Sequence, residues 1–305
     1  MALKDSLHRE TEHLVFGRMK FIGVGPPRTG STWLHEVLAD KSNLPRFNKE
    51  TRFFDANYDK GVEWYAAHFE CEKELPAGEI CPTYFCSSLA RERIFEVAPQ
   101  AKIVCTFRDP VTRIFSLYKI KRAYGATSGT FEDALSRDPE LTESSRYAFH
   151  FAKWRELFGK ENVLAVFYED LVQSPQDYVD RITSFIGMPS FRLTQGQLER
   201  SNSSEGTTHP RSEYLTAVGV AVADWLKARH YGQIVAHFKQ SRMMGLLVGG
   251  GDAIPGLPPV MVQRLRRMFR SEVEMLEGMV GRDLSGWKGK DERAIQSADE
   301  LPRFA

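Results

Sequence analysis

Short apolar runs alternate along this chain with longer stretches whose apolar residues recur every three or four positions. A first strand is expected over about Lys20–Val24, followed by a helix from about Ser31 to Ala39. A helix from Gly61 to Phe69 would place Trp64, Tyr65 and Phe69 on its apolar side. Gly78–Phe85 reads as a short strand entering a loop, and Leu89–Val97 as the next helix. Lys102-Ile103-Val104-Cys105-Thr106-Phe107 is nearly continuous in apolar residues, the pattern of a parallel strand covered on both faces. It ends at Arg108-Asp109-Pro110, where Asp109 suits an N-cap and Pro110 a first helical residue. The helix that follows, to about Tyr124, carries Ile114, Leu117, Tyr118 and Lys121.

Tyr147, Phe151, Trp154 and Phe158 recur at helical spacing before a strand at Val163–Phe167, and Ser174-Pro175 opens a helix with Val179, Ile182, Phe185 and Ile186. A last helix over about Pro259–Met279 places Met261, Leu265, Met268, Phe269 and Leu276 on one side. Strand-to-helix units with short joins imply right-handed crossovers and a parallel sheet flanked by helices, an α/β architecture. Ligands in such sheets bind beyond the carboxyl ends of the strands.

The first of those ends holds the clearest chemistry. Gly25-Pro26-Pro27-Arg28-Thr29-Gly30-Ser31-Thr32 has the glycine spacing of GxxxxGK[ST], and it joins an apolar strand to a helix. Such a turn gathers backbone N–H groups at a helix N-terminus, where the dipole favours an anion. Ser31 stands where a nucleotide-triphosphate loop has its lysine, and the loop's cation, Arg28, comes three residues earlier. A phosphate cradle is expected there, while ATP or GTP hydrolysis is disfavoured.

Composition narrows the field. A length of 305 residues suits one large α/β domain or two modest ones, and 42% hydrophobic and 27% charged residues are ordinary for a globular protein. A formal net charge of +1 gives a nucleic-acid partner no bulk electrostatic support. No apolar run approaches the roughly 18–20 residues of a membrane span, so no stable membrane insertion is expected. The charged opening MALKDSLHRETEHLVFG lacks the apolar core of a signal peptide, and a cytoplasmic location is expected. Cys71, Cys81 and Cys86 lack CxxC spacing and Cys105 sits within a strand, so no metal site is expected and no disulfide is required. Glu169-Asp170, after the strand at Val163–Phe167, reads as a strand-end turn with an N-cap role.

Arg108 leaves a strand just before a helix, and Ser116 follows eight residues later. A guanidinium fork matches a phosphate, and a hydroxyl adds a donor. Two anion sites on strand ends suit a nucleotide phosphorylated at two separate positions, gripped by separate pockets around Arg28 and Arg108. At this point the chain resembles the sulfotransferases that use 3′-phosphoadenosine 5′-phosphosulfate (PAPS). Pro27-Arg28-Thr29-Gly30-Ser31-Thr32-Trp33 resembles that family's phosphosulfate loop, PKSGTTW, with Arg28 in place of lysine. RDPVTRIFS, Arg108 to Ser116, resembles its 3′-phosphate motif. Phe167-Tyr168-Glu169-Asp170-Leu171 resembles its YEDL segment, and Gly281–Trp287 the GRxLxxW ending of bacterial and carbohydrate-type members. Lys49-Glu50-Thr51-Arg52-Phe53-Phe54-Asp55, with Trp64-Tyr65 after it, resembles the KExHFFD…WY pattern of glycan enzymes, with Arg52 in place of histidine. Gly78-Glu79-Ile80-Cys81-Pro82-Thr83-Tyr84-Phe85 resembles their GEKTPSYF segment, with Ile80 in place of lysine.

The resemblance implies a P-loop-like three-layer fold in a single domain over 1–305, with 190–257 as a capping, acceptor-shaping region. It implies transfer of a sulfuryl group from PAPS to a hydroxyl of a carbohydrate or small alcohol, with PAP as product and without a metal. Glu50 would be the general base, with Lys49 orienting it or meeting a sulfuryl oxygen. Arg28 and the N–H groups of Thr29, Gly30, Ser31 and Thr32 would stabilise the leaving phosphate. Arg108 and Ser116 would hold the 3′-phosphate, and Trp33 and Tyr168 would line the adenine or pack in the core. Two other readings remain open: a P-loop small-molecule kinase, which would want lysine at position 31, and a module that holds the nucleotide without catalysis. A third treats 209–247 as a membrane-surface helix carrying Lys227, Arg229, Lys239 and Arg242; its scattered basic residues fit a solvated face better.

Overall fold

The computed structural model describes residues 16–70, 75–200 and 254–289. Cys71, most of the 190–257 region and the basic residues Lys227, Arg229, Lys239 and Arg242 lie outside them. The strands are β1 (Met19–Gly23), β2 (Ala77–Ile80), β3 (Lys102–Phe107) and β4 (Val163–Phe167). They form one parallel sheet in the order β2-β1-β3-β4. Gly23 lies opposite Ile80 on one side and Val104 on the other, and Phe107 lies opposite Phe167. The chain moves from β1 outward to β2 and then crosses back over β1 to β3. The loops after β1 and β3 therefore open side by side at this switch point.

The helices are α1 (Ser31–Leu38), α2 (Val62–Ala66), α3 (Ser88–Val97), α4 (Pro110–Ala123), α5 (Phe131–Arg137), α6 (Pro139–Glu143), α7 (Tyr147–Phe158), α8 (Tyr168–Gln173), α9 (Pro175–Phe185), α10 (Gln195–Arg200), α11 (Pro259–Val280) and α12 (Ser285–Lys288). Among the described residues, no helix is long and apolar enough to cross a membrane. Successive strand residues point to opposite faces, which makes two cores. Ile22, Ile103, Cys105, Ala165 and Phe167 meet α3, α4, α7 and α11 on one face. Phe21, Ile80, Val104 and Val166 meet α1 and α9 on the other. Each fully buried aliphatic or aromatic side chain contributes roughly 1.5–3 kcal/mol, so the helix–sheet–helix sandwich rests on both faces.

The periodicity of the long helices is matched closely. Tyr147, Phe151, Trp154 and Phe158 are all buried on α7. On α11 the buried stripe is Met261, Leu265, Phe269, Val273 and Leu276. Met268, expected on that side, is 48% exposed, because steps of four along the helix carry the stripe past it. The strand expected over Gly78–Phe85 ends at Ile80 and gives way to a 3-10 turn at Pro82–Cys86. Glu169 and Asp170 lie inside α8, whose start carries no side-chain cap. The N-cap role expected of them is thus replaced by pairing with other elements. The short α5 and α6 were not expected; α5 begins with a capping box made by Thr130 and Asp133.

One buried residue stands out in β2. Glu79 is 0% exposed. Its oxygens accept from the Thr51 N–H at 2.9 Å, the Thr51 hydroxyl at 2.6 Å, Tyr65 at 3.0 Å and Tyr84 at 3.2 Å. Burial pushes its carboxyl up to about 7, against these hydrogen bonds, which favour the ionised form.

Two predictions follow from this packing. A Cβ at Gly25 would lie 1.9 Å from the Thr106 hydroxyl and 2.5 Å from the Thr106 backbone. Gly25→Ala should therefore cost about 1–3 kcal/mol or more, read as a lowered thermal midpoint; an unchanged midpoint would refute the close approach of these strands. Glu79 supplies the second. The folded chain holds its proton more tightly than the unfolded chain, where the carboxyl titrates at 4.5. Its contribution is present below pH 4.5 and is lost as pH rises toward 7. Half-buried His35, pushed down to about 4 by desolvation, works in the opposite sense. The midpoint of Glu79→Gln minus that of the wild type should rise steadily between pH 4.5 and 7, and a flat difference would show that burial does not raise this carboxyl.

Candidate active site

The loop after β1 is built to hold its backbone open. Gly30, before α1, takes φ 95°. A Cβ there would strike Leu171 Cδ2 at 2.8 Å. The Thr29 hydroxyl donates to the Pro26 carbonyl at 2.7 Å and shares a 2.5 Å hydrogen bond with Thr106. Thr29 is fully buried, and its side chain ties the loop to β3. Ser31 and Thr32 then supply hydroxyls in the first turn of α1, where unpaired N–H groups favour an anion. Trp33 is only 7% exposed, meets Tyr178 edge-on and donates its indole N–H to the Gln197 carbonyl at 2.8 Å. Its ring belongs to the core between α1 and α9 and anchors the start of α10.

The cation that reaches this helix terminus comes from a different segment. Lys49 Nζ lies 3.0 Å from the Thr32 hydroxyl and 3.5 Å from that of Ser31. It also pairs with Glu50 at 3.0 Å. Both side chains are about one-third exposed or less, at 26% and 32%. Lys49, Glu50, Ser31 and Thr32 thus form one cluster, with a carboxylate beside the anion-favouring helix end.

Arg28 stands elsewhere. It adopts φ 76°, a left-handed conformation unusual for a side-chain-bearing residue. Its Nε donates to the Ser116 hydroxyl at 3.0 Å, across 88 positions of sequence. Arg108 Nη1 lies 3.4 Å from the Arg28 carbonyl, and its guanidinium stacks 4.3 Å from the Tyr168 ring centroid. Arg28 and Arg108, expected at separate pockets, lie side by side: Arg28 adopts a left-handed turn and its side chain reaches α4. Burial, and then the neighbouring Arg108, lower the Arg28 pKa, although a guanidinium stays charged. Arg28, Arg108, Ser116 and Tyr168 make a second cluster, with one ring face of Tyr168 given to Arg108.

The framework below this second cluster is acidic. Asp109 caps α4, accepting from Val111 N at 2.8 Å and Thr112 N at 3.0 Å, as expected. Its own N–H donates to Glu169 Oε1 at 3.0 Å. Tyr147 donates to the Arg108 carbonyl at 2.9 Å. Burial raises the pKa of both Asp109 and Glu169. Arg266 of α11 reaches Asp109 Oδ2 at 3.4 Å, and Arg282 forks onto both oxygens of Asp170. The YEDL-like and GRxLxxW-like segments are thereby joined in space. Sequence reasoning noticed each segment but not their partnership, since nothing local reveals which acid an arginine 112 positions away will meet. Glu79 was missed as well; an acid within an otherwise buried strand was its one available signal. Among the described residues, no group of three or more His, Cys, Asp or Glu could hold a metal.

Known proteins match this chain in sequence and fold. The sulfotransferase domain model matches residues 18–216. A bifunctional heparan sulfate N-deacetylase/N-sulfotransferase 2 from Bos taurus is 30% identical over 196 residues, 56% of this chain and 22% of the relative. The N-deacetylase/N-sulfotransferase 4 of Mus musculus is 29% identical over 193 residues, 55% of this chain and 22% of the relative. The chain thus corresponds to about a fifth of the length of these relatives. A sulfotransferase structure from Alicyclobacillus acidocaldarius aligns with a TM-score of 0.65 at 18% identity, covering 89% of this chain and 99% of that one. That likeness extends to the fold, a P-loop-like parallel sheet flanked by helices. The matched domain contains both strand-end loops and both clusters, and the chain belongs to the sulfotransferase family of enzymes.

Proposed function

We propose that this enzyme transfers a sulfuryl group from PAPS to a hydroxyl of a carbohydrate or small-alcohol acceptor. The observation that carries the reading is the pairing of two clusters on one loop: Lys49, Ser31 and Thr32 at the start of α1, and Arg28, Arg108 and Ser116 beside it. A donor bearing phosphate at both ends of its adenosine would engage both. Its 5′-phosphosulfate would meet the N–H groups of α1 and Lys49, and its 3′-phosphate the two guanidiniums and Ser116. Arg28, expected at the leaving phosphate, donates to Ser116, so this reading assigns it to the second cluster and Lys49 to the first. Tyr168, already stacked on Arg108, would border the base.

The chemistry follows from the geometry. The acceptor oxygen attacks sulfur, forming one S–O bond as the S–O bond to the 5′-phosphate breaks. The bonding pair leaves with PAP, and the acceptor proton goes to Glu50. Charge grows on the bridging oxygen, where fixed N–H donors and Lys49 meet it without reorganisation. Like phosphoryl transfer, the step depends on positioning and charge stabilisation, and no metal enters this scheme. One domain over 1–305 completes the reading, with 190–257 shaping the acceptor pocket from the α10 anchor at Trp33. A cytoplasmic setting is part of the same proposal.

Two measurements test it. PAP should raise the thermal midpoint well above the effect of equal ATP, because ATP offers no 3′-phosphate to Arg28, Arg108 and Ser116. At 100-fold excess over Kd the stabilisation should reach about 2.7 kcal/mol. Equal shifts from PAP and ATP would favour the kinase reading. Incubation with sulfur-labelled PAPS and a panel of hydroxyl compounds should label an acceptor, and Glu50→Ala should slow that transfer about 10²–10⁴-fold while PAP still binds. Unchanged turnover in Glu50→Ala would remove Glu50 as the base; PAP binding with no labelled acceptor across the panel would favour a binding module.

A further inference from the structure

The Lys49–Glu50 pair sits on a segment without regular secondary structure, yet this segment must hold two reactive groups in place. Its fixed point is the next residue. Thr51 is fully buried. Its N–H and hydroxyl both donate to Glu79 Oε1, at 2.9 and 2.6 Å. The same hydroxyl accepts from Phe53 N at 3.1 Å, and the Thr51 carbonyl accepts from Asn57 at 2.8 Å. Tyr84, which donates to Glu79, accepts from Phe54 N at 3.3 Å. Tyr65 closes the far side of the carboxyl at 3.0 Å. Arg52, between the anchored residues, takes the left-handed φ of 52°. The turn is therefore held by contacts to one carboxyl together with hydrogen bonds from Phe53, Ala56 and Asn57 within the segment.

We propose that Glu79 is a positioning residue of the transfer site: anchored in β2, it holds the backbone at Thr51 and so places Lys49 against Ser31 and Thr32, with Glu50 beside them. Glu79 itself is sealed from the ligand. The cost of burying a carboxylate away from any cationic partner among the described residues makes sense as the cost of fixing this turn. A hydrophobic residue at 79 would fill the space but could not accept from a backbone N–H. The inference rests on the donor site proposed above, and PAP binding tests the two separately.

The experiment is a calorimetric double-mutant cycle on the full chain, with PAP as the probe. Lys49→Ala removes a charge-assisted contact and should weaken PAP about 10-fold or more. Thr51→Val keeps the buried volume and breaks the 2.6 Å link. It should weaken PAP roughly 3–10-fold in the wild-type background, and less than about 2-fold once Lys49 is alanine. Glu79→Ala should behave as Thr51→Val does. Glu79→Gln, which still offers an oxygen to Thr51, should restore affinity to within about 2-fold of wild type. A stability role alone would lower the thermal midpoint of Thr51→Val and Glu79→Ala and leave PAP affinity unchanged, which would overturn the inference. Losses that multiply in full with Lys49→Ala would overturn it as well, since Glu79 would then act by another route. If wild-type protein does not bind PAP, the donor-site reading fails first and the inference with it; if PAP binds and only the coupling is missing, the donor site stands and the positioning role is rejected.

Discussion

The pairing of β1 with β3 is the constraint on which the site depends. Residues 23 and 104 lie opposite one another in that ladder, and Val24 N continues it to the Val104 carbonyl at 2.9 Å. Gly25 then passes so close to Thr106 that no side chain fits between them. Thr29 is drawn down onto the same threonine. The loop is thereby pinned along its length to the strand whose end carries Arg108. A hydrogen bond between Arg28 and Ser116 becomes possible only because this ladder has already closed most of the distance. The site is thus a consequence of strand order, and its precision is inherited from two faces of core packing rather than from the loop's own rigidity.

Electrostatics explains why the strand ends are braced so heavily. Two guanidiniums side by side in a half-buried setting repel one another, and the lowering of the Arg28 pKa by Arg108 reflects that. The framework offsets the repulsion without neutralising the cations where an anion would meet them. Tyr168 offers a ring face to Arg108, and Asp109 and Glu169 lie beneath it, both engaged by backbone N–H groups. Arg266 and Arg282 in turn meet Asp109 and Asp170 from the C-terminal segment. Layers of alternating charge run outward from the second cluster, so the energy of holding two cations close is spread over several elements. Such an arrangement favours an anion with more than one negative charge.

Much of this was legible in the sequence, for reasons that differ by element. β3 and β4 were readable to the residue because an uninterrupted apolar run between a polar turn and a proline or acidic stop leaves little latitude for the ends. α7 and α11 were readable from spacing, although the α11 stripe excluded Met268 once the helix settled against its neighbours. The phosphate loop, the Arg108–Ser116 spacing and the KExHFFD-like and YEDL-like segments together named the residues of both clusters. They did not reveal how those residues divide between the clusters, because the backbone angle at Arg28 is set by contacts far away in sequence. Trp33 could have faced either a ligand or the core on its local pattern, and Tyr178 and Gln197 place it in the core. Glu79 carries a similar lesson: its importance lies in donors from Thr51, Tyr65 and Tyr84, gathered from three separate segments.

The exchange of cations at the phosphate loop has a consequence for how the site can operate. In a Walker loop the lysine rides on the helix that binds the phosphate, so cation and N–H groups move as one body. Here the cation at the α1 terminus belongs to the segment that also carries Glu50. Any displacement of that segment would move the positive charge and the Glu50 carboxyl group together. On the proposed reading, a donor engaged by Lys49 would meet Glu50 on the same segment. A link of this kind is strong only if the shared segment is stiff, and the buried Thr51–Glu79 contact gives it that stiffness at the residue following the pair.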